Sequence, residues 1–201
     1  IPSKQDPPAS QLQVLIKLYE SKNLEKAAFF AVKLRLEFPY SPILHNIEGV
    51  INTDLEKYAL ALDKFGQALT LNPNYYQALN NLAACLKKMG QSNDAKDAYR
   101  LALKINPKYA PGHNNLALML QDENEWKNAE FHFREAIRFQ TAYADAIYNL
   151  GYLYQIQGKN DAAEGYFKRA ISYDPSHSDT YYNLGVLAQQ KGQNFKALKF
   201  Y

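Results

Sequence analysis

The chain has 201 residues, enough for one ordinary domain or one short array of repeats. Its 47% hydrophobic and 21% charged residues are the balance of a folded chain and exclude general disorder. A net charge of +3, with Lys87–Lys88 the longest like-charge cluster, leaves no electrostatic footprint for nucleic acid. The single cysteine, Cys85, excludes an intrachain disulfide and reads as a small reduced core group. No apolar run is long enough to span a bilayer, and no leader precedes the first unit, which points to the cytoplasm. The start at Ile1, not Met, suggests a piece of a longer chain.

In chain order, Ile1–Ala9 holds Pro2, Pro7 and Pro8 and is expected to be a disordered lead-in. A single array fills 10–201, in units of about 8–41, 42–75, 76–109, 110–143, 144–177 and a truncated 178–201. Pro39, Pro73 and Pro107 stand 34 residues apart and Pro175 stands 68 further on; Thr141 occupies the skipped position. Ala27, Ala61, Ala95, Ala129, Ala163 and Ala197 share one register. An aromatic follows four residues later at Phe65, Tyr99, Phe133, Phe167 and Tyr201. A small residue precedes the alanine by twelve at Gly49, Ala83, Ala117, Gly151 and Gly185. Each unit thus predicts two amphipathic helices and a short turn, with Gly90, Gly158 and Gly192 supplying backbone freedom at three of the turns.

The small residue is expected to face the alanine of the second helix, and the aromatic to fill the gap towards the next unit. The proline should stop the second helix, so the helix before Thr141 is expected to run longer. Ser10 with Gln13 and Asp161 with Glu164 read as capping boxes, and Ser41–Pro42 as a capped start. The first unit diverges, with Leu15 and Leu34 where small residues are expected and Ala31 where an aromatic belongs. The last stops at Tyr201 in mid-helix with no polar capping helix, so association between copies through this end is expected.

These columns resemble the tetratricopeptide repeat family. Residues 144–177 carry Leu150-Gly151, Tyr154, Ala163, Phe167, Ala170 and Pro175; residues 76–109 carry Leu82-Ala83, Leu86, Ala95, Tyr99, Ala102 and Pro107. The resemblance implies an all-α fold, a right-handed α-solenoid of antiparallel helix pairs with roughly 11 helices here, and a protein or peptide as partner.

Chemistry-bearing motifs are missing: no phosphate loop, dinucleotide fingerprint, paired-histidine or nucleophile-elbow motif occurs, so no catalytic residue, metal site or cofactor is expected. His45 and His113 fall where the family places a packing residue. The informative column is asparagine: Asn81, Asn115, Asn149 and Asn183 recur at 34-residue steps, doubled by Asn80 and Asn114, with Asn46 one place earlier in its unit. Asparagine is a poor helix-interior residue, so its repetition asks for a reason. Amides lining the concave surface could bond an extended peptide backbone, or they could bond the adjacent repeat. The four-position ladder resembles that of the helical array of O-linked N-acetylglucosamine transferases, which implies peptide contact.

Tyr148, Tyr152 and Tyr182 are placed towards the same groove, whereas Tyr75, Tyr109 and Tyr143 at the junctions read as packing. Asn80, Asn114, Tyr148 and Tyr182 stand where chaperone-tail binders carry Lys or Arg, which removes a carboxylate clamp. Three readings of function stand open. One is a peptide- or protein-binding scaffold. The second is the substrate-recruiting front of a bacterial glycosyl- or sulfotransferase, from a likeness at Leu12, Leu15, Leu18-Tyr19, Phe38-Pro39 and Leu44-His45-Asn46. The third is a self-assembling scaffold.

Overall fold

The computed structural model describes residues 6–201. Among them it contains only helices. These are α1 (Ala9–Glu20), α2 (Leu24–Glu37), α3 (Pro42–Asp54), α4 (Tyr58–Leu71), α5 (Tyr76–Lys88), α6 (Ser92–Ile105), α7 (Ala110–Asp122), α8 (Trp126–Phe139), α9 (Ala144–Ile156), α10 (Asn160–Tyr173), α11 (Ser178–Gln190) and the short α12 (Asn194–Ala197). None is long and apolar enough to cross a membrane. Two compact units emerge, one ending at Pro107 and one beginning at Lys108. In the first, α1/α2, α3/α4 and α5/α6 follow one another, with α2 against α3 and α4 against α5. In the second, α7/α8, α9/α10 and α11/α12 do the same, with α8 against α9 and α10 against α11. Of the expected lead-in, residues 1–5 lie outside the described residues; Pro7 is buried, and Asp6 Oδ1 accepts a 2.5 Å hydrogen bond from Ser41 Oγ.

The turn inside each hairpin is one motif used six times. The second residue after each first helix has positive φ: Lys22, Glu56, Gly90, Asn124, Gly158 and Gly192, between 58° and 78°. The next N–H then reaches back five residues, as in Lys57 to the Asn52 carbonyl at 2.8 Å and Lys159 to the Tyr154 carbonyl at 2.9 Å. This left-handed closure satisfies the last carbonyls of the first helix while the second helix begins at the following residue. Only three of the six positions are glycine, so the other three turns gave no glycine signal. The closure also displaces side-chain caps: α10 begins at Asn160 behind Lys159, and the Asp161–Glu164 box does not form. Likewise Ser10 lies inside α1, behind Pro8. Ser41 does cap, its Oγ accepting from the Leu44 N–H at 3.3 Å.

Helix α8 does not run longer for want of a proline. It has 14 residues, as have α4, α6 and α10, and its C-cap Gln140 (φ −137°, ψ 91°) matches Asn72 (φ −140°, ψ 91°) ahead of Pro73. The bond from the Tyr143 N–H to the Gln140 carbonyl, 3.1 Å, repeats that from Tyr75 to Asn72 and ends the helix at the same residue. Packing of the next hairpin therefore sets the stop, and proline is compatible with it rather than required.

The close approach within a hairpin also differs from expectation. A Cβ on Gly151 would meet Phe167 Cδ1 at 2.9 Å and Tyr166 Cβ at 3.0 Å, so the glycine faces the aromatic and not Ala163. A Cβ on Gly49 would meet Phe65 Cε1 at 2.5 Å, and one on Gly185 would meet Tyr201 Cε1 at 2.6 Å. The ring lies over the glycine of its own hairpin, and Phe65 also packs with Cys85 of the next. The alanine column (Ala27, Ala61, Ala95, Ala129, Ala163, Ala197) is buried, as are Ala83 and Ala117. The first hairpin reverses the sizes: Leu15 and Ala31, both fully buried in one cluster, replace small-plus-aromatic by large-plus-small. Total volume is roughly kept, which is what a core tolerates.

One buried charge stands out in α3. Glu48 occupies the column held by Leu82, Leu116, Leu150 and Leu184, yet it is 3% exposed. Arg35 Nε bonds it at 2.8 Å. Arg35 in turn occupies the column of Leu69, Leu103, Ile137 and Ile171, so an ion pair has replaced a pair of apolar residues.

Two outcomes follow from these contacts. Gly151→Leu should cost roughly 2–4 kcal/mol by overpacking, and Phe167→Ala added to it should return more than half of that, following Leu15/Ala31. Urea denaturation reads both; an unchanged midpoint in the single variant would show that the approach is not tight. Arg35→Leu alone should cost about 3 kcal/mol by stranding Glu48, the low end for a buried pair because Arg35 is 28% exposed. The Arg35→Leu/Glu48→Leu double variant should be neutral or more stable than the parent, and a double variant as unstable as the single would overturn the pairing account.

Candidate interaction surface

The asparagine column sits on the first helices. Asn80 and Asn114 are buried, as are Asn46 and Asn183, while Asn81, Asn115 and Asn149 are half-buried. Within each unit the amides join neighbouring hairpins. Asn81 Nδ2 donates to Asn46 Oδ1 at 3.0 Å, and Asn149 Nδ2 donates to Asn114 Oδ1 at 2.9 Å. Asn183 Nδ2 donates to Tyr148 Oη at 3.0 Å and to the Asp179 carbonyl at 3.0 Å. The spacing of each inter-hairpin bond is 35 residues, one more than the repeat. The acceptor is thus the residue before the column in the preceding hairpin: Asn46, Asn114 and, where asparagine gives out, the phenol of Tyr148. Side by side in α5, Asn80 Nδ2 also lies 3.4 Å from Asn81 Oδ1.

An amide carries two N–H donors and one carbonyl. Asn183 spends both hydrogens on protein partners, whereas each inter-hairpin bond of Asn81 and Asn149 uses one. Stacking is therefore a role the geometry gives the column directly. Sequence periodicity hid it, because the partner of each asparagine lies one residue out of register.

The tyrosines separate by exposure. Tyr148 is half-buried, its ring 4.7 Å from His177, 5.6 Å from Phe167 and 6.3 Å from Tyr152 between centroids. Burial raises its phenol pKa above the ordinary range, with Asp179 adding to the effect. Tyr152 and Tyr182 are 38% and 61% exposed, and Tyr182 lies 6.0 Å from Tyr201. The junction residue Tyr143 is half-buried, and burial, reinforced by Asp145, pushes its phenol up to about 12.

His113 and His132, which nothing in their sequence spacing connects, come together with Nδ1 atoms 2.9 Å apart. His113 is 6% exposed and stacks at 5.7 Å on Phe139; His45 is 5% exposed, with Nε2 3.0 Å from the Pro39 carbonyl. Both are packed core groups, although His45 Nδ1 is buried without a hydrogen-bond partner. No group of three or more metal-binding side chains occurs among the described residues.

Comparison with known proteins agrees with this architecture. Models of the tetratricopeptide repeat match residues 76–109 and 144–177, and a further one matches 166–199. No curated protein matches the sequence. Among solved structures, MamA is 25% identical with a TM-score of 0.65, over 76% of this chain and 89% of that one. PilF of Pseudomonas aeruginosa is 16% identical with a TM-score of 0.79, over 95% and 87%. YrrB, described as a TPR protein with an unusual peptide-binding site, is 22% identical with a TM-score of 0.61, over 85% and 88%. With its repeats, turn geometry and glycine–aromatic contacts in one register, the chain carries tetratricopeptide repeats over the matched residues, an architecture that supports a scaffold for protein interactions.

Proposed function

We propose that the chain binds an extended peptide, or an extended segment of a partner protein, on the face of its first helices that carries the asparagine column and Tyr148, Tyr152 and Tyr182. The observation that carries this reading is the exposure of Tyr152 and Tyr182 beside Asn149 and Asn183 on α9 and α11. Exposed tyrosine rings next to polar side chains recur as anchors of binding surfaces. The labour is divided. The asparagines hold hairpins together, and the amide hydrogens beyond those inter-hairpin bonds serve the bound backbone. The tyrosines supply contact area at small entropic cost. Contacts of this kind are neutral, so the interaction varies little with salt.

The division gives the experiment. A peptide selected from a random display library against the intact chain is titrated calorimetrically into parent and variants. Tyr152→Ala and Tyr182→Ala should each weaken binding about tenfold or more, with a melting temperature close to the parent's. Asn149→Ala should instead lower stability by about 1–3 kcal/mol, because Asn114 Oδ1 loses its donor. Parent-like affinity in both tyrosine variants would remove this face as the binding surface.

A further inference from the structure

The second unit holds a cleft of about 280 Å³ that the binding face does not use, walled by Arg134 and Arg138 of α8, Thr141, and Tyr166 and Arg169 of α10. We infer that this cleft is a site for a phosphate group, either the free ion or a phosphate ester on a partner.

Three guanidinium groups meet there, and only two carboxylates answer them. Arg134 Nε bonds Glu130 at 3.0 Å and its Nη2 donates to Tyr154 Oη at 2.7 Å. Arg138 Nη2 bonds Glu135 at 2.5 Å, with its guanidinium 4.3 Å from the centre of the Phe139 ring. Arg169 is held by a carbonyl instead: its Nη2 donates to Thr141 O at 3.3 Å. Each guanidinium has five N–H donors, so these bonds use only a minority of them, and the three arginines of the lining outnumber the two carboxylates that pair with them. A phosphate, with several acceptor oxygens and more than one negative charge, matches that wall better than a single carboxylate does.

The repeats supply an internal control. Two repeats back, the positions equivalent to Arg134, Arg138 and Arg169 are Gly66, Thr70 and Leu101, whereas one repeat back they are Arg100, Lys104 and Glu135, so hairpins form both with and without cations in these columns. The arginines are therefore not needed by the fold, and two of them are largely in water, with side chains 53% and 63% exposed. Thr141 stands in the column of Pro39, Pro73, Pro107 and Pro175, so the one departure from proline in that column falls on a residue that lines the cleft.

The test uses the whole chain with arginine Nε–H resonances followed by NMR, titrated separately with inorganic phosphate and with phosphoserine. Saturable shifts of Arg134, Arg138 and Arg169 are expected. Arg169→Gln should weaken binding at least tenfold at an unchanged melting temperature, and raised salt should weaken it further. Equal affinity for the two probes identifies the free ion as the ligand; a marked preference for phosphoserine identifies an ester on a partner. Shifts confined to other residues, an absence of saturation with both probes, or parent affinity in Arg169→Gln would overturn the assignment. None of these residues belongs to the proposed peptide face, so failure here leaves that reading standing.

Discussion

Everything in this fold depends on how closely two helices of a hairpin can approach. An aromatic ring from the second helix lies directly on a position of the first helix where side-chain volume is almost nil, as Phe65 does on Gly49 and Phe167 on Gly151. The ring is large enough to reach the next hairpin as well, so one side chain sets both the spacing within a hairpin and part of the contact between hairpins. The Leu15/Ala31 exchange shows that the constraint is on summed volume at the contact, not on glycine as such. Once that spacing is set, the left-handed closure at Lys22, Glu56, Gly90, Asn124, Gly158 and Gly192 fixes where each second helix starts.

Much of this was legible in the sequence because a 34-residue period multiplies weak signals. The hairpins, the buried alanine column and the packed histidines are all readable from register. What register does not encode is contact across a hairpin or between hairpins. It pairs Gly151 with Ala163 because both columns are small, whereas the helix surface brings Phe167, one turn further on, over the glycine. It assigns helix stops to proline, whereas α8 ends on schedule before Thr141 because the following hairpin packs there. Side-chain caps drawn from local motifs fail for α1 and α10.

The asparagine column shows the same limit at the candidate site. Periodicity marks it as special but leaves open what the amides bond to. The 35-residue offset answers for three of them, and it gives Asn46 and Tyr148 roles as acceptors that no motif announced. Asparagine is tolerated in these helix interiors because a buried amide with partners gains what an exposed one would not. In the second unit, Asn149 and Asn183 are thereby tied to the preceding hairpin, with the exposed rings of Tyr152 and Tyr182 on the same helices.

The central claim is that these amides couple neighbouring hairpins, and a double-mutant cycle tests it most directly. The stabilities of the parent, Asn114→Ala, Asn149→Ala and the double variant are measured by urea denaturation. The account predicts a coupling energy of about 0.5–1.5 kcal/mol between the two sites. Additivity of the two single effects to within about 0.3 kcal/mol would contradict it.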